Sequence, residues 1–218
     1  MLKMRFVLPV SAALLAFSGA ANAVVIVGVY NTGVGNGTAL APGDGVVDPH
    51  YTITATNEGN VTVGNNALTY YNAAYVQDGP MSRIVNATGD GAGSPGTTTI
   101  FATTFNLTGY DAMNATISGQ VLFDNSGEIF LNGNQVGGTV TGFNTLTPFG
   151  TNANFFNAGI NTLSFVLHNA GGPEAFQVAG LTVTADAVPE PATWGLMMVG
   201  FGMIGASVRR RTAATVTA

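Results

Sequence analysis

The sequence predicts an all-β protein, an antiparallel β-sandwich that follows an N-terminal signal helix and precedes a single C-terminal transmembrane helix. Three observations predict it. Short runs of β-forming residues alternate with Gly, Asn, Asp and Pro, as in domains built from short strands and turns. No long amphipathic helical pattern separates these runs, so parallel βαβ units are not expected. Asn132-Gly133, between two apolar runs, is a strong hairpin signal.

The chain divides into four segments by composition. Residues 1–23 resemble a signal peptide, residues 24–187 form the β-domain, residues 188–211 combine prolines, an apolar run and arginines, and residues 212–218 are a short tail. A β-domain of this length is large enough for one hydrophobic core. We therefore expect one folded domain between two terminal segments.

Charge and cysteine content exclude several classes of function. Charged residues make up 8% of the chain and cysteine is absent, which excludes disulfides, thiolate metal sites and cysteine nucleophiles. Between Val24 and Val188 the only basic residue is Arg83, whereas all acidic residues except Glu190 lie there. Such an acidic body repels a phosphate backbone, so nucleic-acid binding is not expected.

The N-terminus, MLKMRFVLPVSAALLAFSGAANA, has the three parts of a secretory signal. Lys3 and Arg5 supply a positive start, an apolar run follows, and Ala21 and Ala23 form a small-x-small cleavage site before Val24. The apolar run is short for a membrane anchor. The expected partners are the Sec translocase and signal peptidase, and the mature chain would begin at Val24.

Eight runs in the body are predicted strands. They are VVIVGVY, YTITAT, LTYYNAAYV, TTTIFATTFNL, ATISGQVLF, EIFLN, TLSFVLH and FQVAGLTVTA. Without disulfides, the core must come from large apolar side chains on these runs and near them. We expect this core to contain Phe105, Val121, Phe123, Ile129, Leu131, Phe143, Phe149, Leu163, Phe165 and Val178.

Two turns are predicted in the middle of the body. Asp124-Asn125-Ser126-Gly127 has turn-forming composition and should separate two strands. Asn132-Gly133 tolerates positive φ at both residues, so Ile129–Leu131 should pair with the residues near Val136 as a hairpin.

The second half of the body resembles the galactose-binding-like jelly rolls. The motif residues are Asp124, Asn125, Asn132, Gly133, Asn161 and Asn169, within VLFDNSGEIFLNGNQVG and FNAGINTLSFVLHNAGG. The resemblance implies a jelly-roll sandwich that acts as a carbohydrate-binding or accessory module, without identifying a ligand. Such domains sometimes hold calcium, and Asp44, Asp48, Asp124 and Glu128 are hard-oxygen residues on predicted loops that could contribute to a Ca²⁺ site. We expect solvated turn carboxylates at these positions, with calcium binding as the alternative.

The C-terminal segment has the features of a membrane stop-transfer helix. Ala192–Val208 is uncharged and is followed by Arg209, Arg210 and Arg211, which favour the cytoplasmic side. Trp194 suits the outer interface. Pro189 and Pro191 cannot extend the helix and would hold Glu190 in an extended strip outside the inner membrane.

The order of Pro-Glu-Pro, apolar run and arginine cluster resembles the PEP-CTERM sorting segment of Gram-negative bacteria. The resemblance implies recognition by an exosortase near Pro189, Glu190 and Pro191, removal of the anchor and delivery to the cell surface or extracellular matrix. A plain membrane anchor with a chance Pro-Glu-Pro is the alternative.

No catalytic constellation is predicted. His50 and His168 are the only histidines and form no zinc pattern, and no G-x-S-x-G elbow occurs. Five tyrosines could stack on sugars or lie half-buried in strands: Tyr51, Tyr70, Tyr71, Tyr75 and Tyr110. We expect a non-catalytic surface protein without an organic cofactor, associated with exopolysaccharide. A polysaccharide hydrolase and a self-associating structural protein are the alternatives.

Overall fold

The computed structural model describes residues 23–76, 78–188 and 191–214. Ten strands and one helix occur in this part of the chain. They are β1 (Ala23–Val25), β2 (Val47–Thr56), β3 (Asn66–Thr69), β4 (Val85–Asn86), β5 (Thr97–Asn106), β6 (Tyr110–Leu131), β7 (Asn134–Gln135), β8 (Val140–Thr151), β9 (Ile160–Asn169), β10 (Ala175–Ala187) and α1 (Pro191–Ala214).

Seven antiparallel strands close into a barrel, in the order β6, β10, β4, β3, β2, β5, β9 and back to β6. The predicted β-sandwich, including its jelly-roll form, is therefore wrong. The reason is β6: its first part pairs with β10 and its last part pairs with β9. Because β6 bridges these two strands, hydrogen bonds run around the whole ring instead of leaving two separate sheets.

The predicted turn over Asp124–Gly127 is also wrong. These four residues lie inside β6, which runs unbroken from Tyr110 to Leu131. The pairing of β6 with β8 shifts register between Phe123 and Ser126. A register shift of this kind absorbs turn-forming residues without ending a strand.

The Asn132-Gly133 hairpin is confirmed. Phe130 pairs with Gln135, and the Val136 amide donates to the Ile129 carbonyl at 2.8 Å. Asn132 and Gly133 have φ of 50° and 82°, as a two-residue turn that matches strand twist requires.

The barrel interior is an aromatic and aliphatic core. Nine of the ten predicted core residues belong to it. The exception is Phe143, which is partly buried against a smaller cluster that contains Tyr70, Tyr75 and Ile84. Alternation is visible on β9, where Leu163, Phe165 and Leu167 are fully buried.

Three residues separate the end of β10 from the start of helix α1, and most of the described apolar side chains of α1 are exposed. In the described part of the chain, no helix combines the length and the apolar character needed to cross a membrane. The predicted transmembrane helix is thus not supported. The predicted span is at the lower limit of length, and Gly195, Gly200, Gly202 and Gly205 dilute its apolar character.

Candidate functional site

The C-terminal segment follows the barrel directly. The Val188 amide donates to the Gly109 carbonyl at 2.9 Å, which fixes the chain where β10 ends. Pro189 and Glu190 lie outside the described residues, and α1 begins at Pro191. Trp194 is 57% exposed, and Arg209, Arg210 and Arg211 lie in the last two turns of α1. Trp194 therefore lies near the barrel end of α1, and the three arginines lie near its other end.

The predicted signal-peptidase site lies next to β1. Ala21 falls outside the described residues, whereas Ala23 and Val24 pair with Asp186 and Ala185 of β10. Cleavage after Ala23 would leave Val24 and Val25 paired with β10. The predicted start of the mature chain, Val24, therefore lies within β1.

A groove of about 460 Å³ lies on the barrel surface across β2, β5 and β9. Thr52, Thr54, Thr104 and Thr162 line it. Hydroxyl groups held on regular strands have little freedom to move, so a ligand would meet a pre-ordered row of donors and acceptors. We call this surface the Tyr30–His50 groove, after the two rings at its side.

Tyr30 and His50 stack in the groove with ring centroids 3.6 Å apart and planes 5° apart. Buried Asp48 positions this pair, because its carboxylate accepts hydrogen bonds from the amides of Gly33 at 2.6 Å and His50 at 2.8 Å. The Tyr51 hydroxyl donates to the Tyr30 carbonyl at 2.8 Å. Burial lowers the pKa of His50, so a neutral imidazole lies beside the phenol ring.

The four residues predicted for calcium lie apart. Asp44 accepts a hydrogen bond from the Tyr71 amide. Asp48 accepts hydrogen bonds from the amides of Gly33 and His50 beside the Tyr30–His50 groove. Asp124 is bonded to Tyr75, and Glu128 is 2.7 Å from His168 Nε2. Within residues 23–76, 78–188 and 191–214, no three His, Asp or Glu side chains group in a way that could hold a metal ion.

The jelly-roll motif residues hold loops in place. Asn132 Oδ1 accepts from the Thr162 amide, and its Nδ2 donates to Asn161 Oδ1 at 2.8 Å. Asn125 and Asn169 accept hydrogen bonds from the amides of residues 170 and 171. Through these contacts the motif residues stabilise the fold. Gly133 supplies the positive φ that the hairpin turn needs.

Thr98, His168 and Glu128 form a hydrogen-bonded row across β5, β9 and β6. Thr98 Oγ1 lies 2.9 Å from His168 Nδ1, and Glu128 also accepts from Thr139 Oγ1 at 2.9 Å. The three residues face outward on regular strands, where polar cross-strand contacts stabilise a sheet. His168 thus has a structural role in this fold.

The predicted tyrosines are mostly part of the core. Tyr51, Tyr70 and Tyr75 are buried, and Tyr71 is 51% exposed. Sequence reasoning missed Tyr30, which lies between β1 and β2. The sequence around it, VGVYNTG, offered no pattern that separates a groove tyrosine from a strand tyrosine.

Comparison with known proteins gives a family match to part of the sequence and likenesses to solved structures. A search of curated proteins gives no match. Among solved structures the chain is similar to a Stig cyclase, Fisc from Fischerella sp. TAU, crystallised in complex with (3Z)-3-(1-methyl-2-pyrrolidinylidene)-3H-indole. The identity is 11%, the TM-score is 0.43, and the alignment covers 77% of this chain and 100% of that chain.

The sequence match is confined to the C-terminus. Residues 187–211 match the PEP-CTERM protein-sorting motif, which includes the Pro-Glu-Pro strip, the apolar run and the three arginines. The chain therefore carries the sorting signal of an exported exosortase substrate.

Proposed function

We propose that this chain is a non-catalytic surface or matrix protein that an exosortase releases from its C-terminal segment and whose barrel binds neutral polysaccharide. The observation that carries the sorting part is the motif match over residues 187–211. The observation that carries the binding part is the Tyr30–His50 groove.

The chemistry of the groove suits a neutral sugar chain. A tyrosine ring offers an apolar face and a hydroxyl, which together match a sugar ring. The threonines supply hydroxyl groups that donate and accept. No charged side chain among the described residues lines the groove, so a neutral ligand loses less hydration there than an ionic one.

The sorting proposal predicts a mass difference. Replacing Pro189, Glu190 and Pro191 by alanine should leave the C-terminal segment attached in cells that contain an exosortase, because the strip that the enzyme recognises is gone. Mass spectrometry of the exported protein measures this. The wild-type chain should lose the segment only when the exosortase is present.

The matched control is the double variant Thr215→Ala and Thr217→Ala, which lies outside the motif and should be processed like the wild type. The sorting proposal is wrong if the wild-type chain loses the same segment in cells that lack the exosortase.

The binding proposal predicts that Tyr30→Ala weakens binding to the neutral extracellular polysaccharide of the producing cells by about tenfold, which corresponds to roughly 1.4 kcal/mol. Isothermal titration on the purified chain measures this. Tyr71→Ala, at an exposed tyrosine that does not line the groove, should bind like the wild type.

Three results would contradict the binding proposal. Equal affinity of the Tyr30→Ala and wild-type chains would show that the polysaccharide does not bind in the groove. Release of new reducing ends would favour the hydrolase alternative. Concentration-dependent assembly without polysaccharide, and no affinity for it, would favour the self-associating alternative.

A further inference from the structure

Glu174 is a buried carboxylate at the corner between β9 and β10. Its side chain has no exposed surface, and neither carboxylate oxygen has a hydrogen-bond partner among the residues that the structure describes. Its own backbone amide donates to the Gly91 carbonyl at 3.0 Å. A buried ionised carboxylate without partners is unstable, so Glu174 either holds a proton or is satisfied by a further group.

Asn169 points at the same place. It is 2% exposed, and its Nδ2 also lacks a partner among the described residues. A Cβ added at Gly93 would lie 2.6 Å from this nitrogen and 2.7 Å from Glu174 Cδ. Both side-chain ends therefore pack closely against the Gly93 backbone and lie near each other.

A second carboxylate belongs to the same cluster. Glu58 is 6% exposed. Its two oxygens accept hydrogen bonds from the Ser94 amide at 2.7 Å and the Ser94 hydroxyl at 2.8 Å. Each oxygen keeps further acceptor capacity. The segment Gly91–Ser94, which we call the Gly91–Ser94 loop, is thus hydrogen-bonded to Glu174 through Gly91 and to Glu58 through Ser94.

The basic side chain of the barrel sequence is engaged away from these two glutamates. Arg83, the only basic residue in the barrel sequence, is bound to Asp78 and to the carbonyls of Leu40 and Gly79. The groups around Glu174 are acidic. Glu58 raises the pKa of Glu174, and Glu174 raises the pKa of Tyr75. The Tyr75 hydroxyl in turn donates a hydrogen bond to Asp124. The surroundings of Glu174 therefore favour a positive ligand.

We propose that Glu174 and Glu58 bind a divalent cation, Ca²⁺ in preference to Mg²⁺, beneath the Gly91–Ser94 loop. Carboxylates are hard-oxygen ligands, and Ca²⁺ tolerates an irregular set completed by amide or backbone oxygens and water. Mg²⁺ demands strict octahedral geometry and keeps its own waters. Asn169 Oδ1 accepts from the Gly171 amide at 2.8 Å, which leaves Nδ2 to donate to a water at the ion. These ligands differ from the four residues that the sequence suggested.

The test measures thermal unfolding of the full chain at pH 8 after removal of divalent ions with a chelator. Added CaCl₂ at about ten times its dissociation constant should raise Tm by about 4 °C, and MgCl₂ should raise it less. Glu174→Gln and Glu58→Gln should each abolish this shift. Asp44→Asn, at an exposed carboxylate, should keep it.

Direct binding makes the result independent of stability. Equilibrium dialysis with Ca²⁺ should find one site in the wild-type and Asp44→Asn chains and none in Glu174→Gln. The affinity of the wild type should fall at least tenfold from pH 8 to pH 5, because a protonated glutamate is a poor ligand. Absence of Ca²⁺ binding by the wild type, or equal binding by Glu174→Gln, would overturn the proposal. Neither outcome bears on the sorting motif or on the Tyr30–His50 groove.

Discussion

Replacing Phe176 by alanine is expected to lower the free energy of unfolding by about 4 kcal/mol. Phe176 is fully buried on β10. Its ring centroid lies 4.7 Å from that of Phe101, 5.6 Å from Phe165 and 5.9 Å from Tyr51. Truncation removes the contacts of one ring with several others and leaves a cavity between strands that cannot collapse freely. Urea unfolding followed by circular dichroism measures the loss.

Met113→Ala is the matched control, because Met113 also lies in a strand but is 73% exposed. It should change stability by less than about 0.5 kcal/mol. Phe176→Leu, which keeps much of the volume, should fall between the two. If Phe176→Ala unfolds at the same urea concentration as the wild type, the aromatic core described here is incorrect.

Stability should fall as the pH rises from 5 to 8 in the absence of divalent cations, and Glu174 should cause about 2–3 kcal/mol of this loss. Burial and the nearby Glu58 raise the pKa of Glu174 from 4.5 to about 7. The folded state therefore holds a proton that the unfolded state releases above about pH 4.5. The stabilisation is complete below the unfolded pKa and is lost as the pH rises through the folded one.

The measurement is urea unfolding of wild-type and Glu174→Gln chains at pH 5, 6, 7 and 8 with a chelator present. The difference between the two chains should change by the stated amount across this range. Buried Asp48, whose pKa is raised from 3.8 to about 6, acts in the same direction at lower pH and is present in both chains. The free energy of unfolding of Asp44→Asn should change with pH in the same way as that of the wild type. Parallel curves for Glu174→Gln and the wild type would contradict the assignment to Glu174.

Local features of the fold were predictable because they depend on neighbouring residues. The alternation of Leu163, Phe165 and Leu167 identified the inward face of β9, and Asn132-Gly133 identified the hairpin. The same local reasoning failed at Asp124–Gly127, where turn-forming residues lie inside β6. It also missed β8, because a run such as VTGFNTLTPFGT lacks the β-branched and aromatic density of a predicted strand.

The candidate sites also divide into one that neighbouring residues reveal and two that depend on residues far apart in the chain. The sorting segment is contiguous, so its three parts could be read in order from the residues. The Tyr30–His50 groove joins three strands, and the Glu174 cluster joins Glu58, the Gly91–Ser94 loop and the start of β10. From its residue type, Asp48 was weighed as a calcium ligand against a solvated turn carboxylate, whereas its contacts make it a buried positioning group for His50.

The sequence by itself determined the all-β character, the hairpin, most of the core residues and the C-terminal sorting motif. Each of these depends on residue type and on spacing over a few positions, which a linear chain displays directly. Only the tertiary structure decided that the strands close into a barrel, that Tyr30 stacks on His50 and that Glu174 is buried beside Glu58. These features depend on pairing between residues far apart in the chain. A change of partner for a single strand decides whether the strands close into a ring or form two separate sheets.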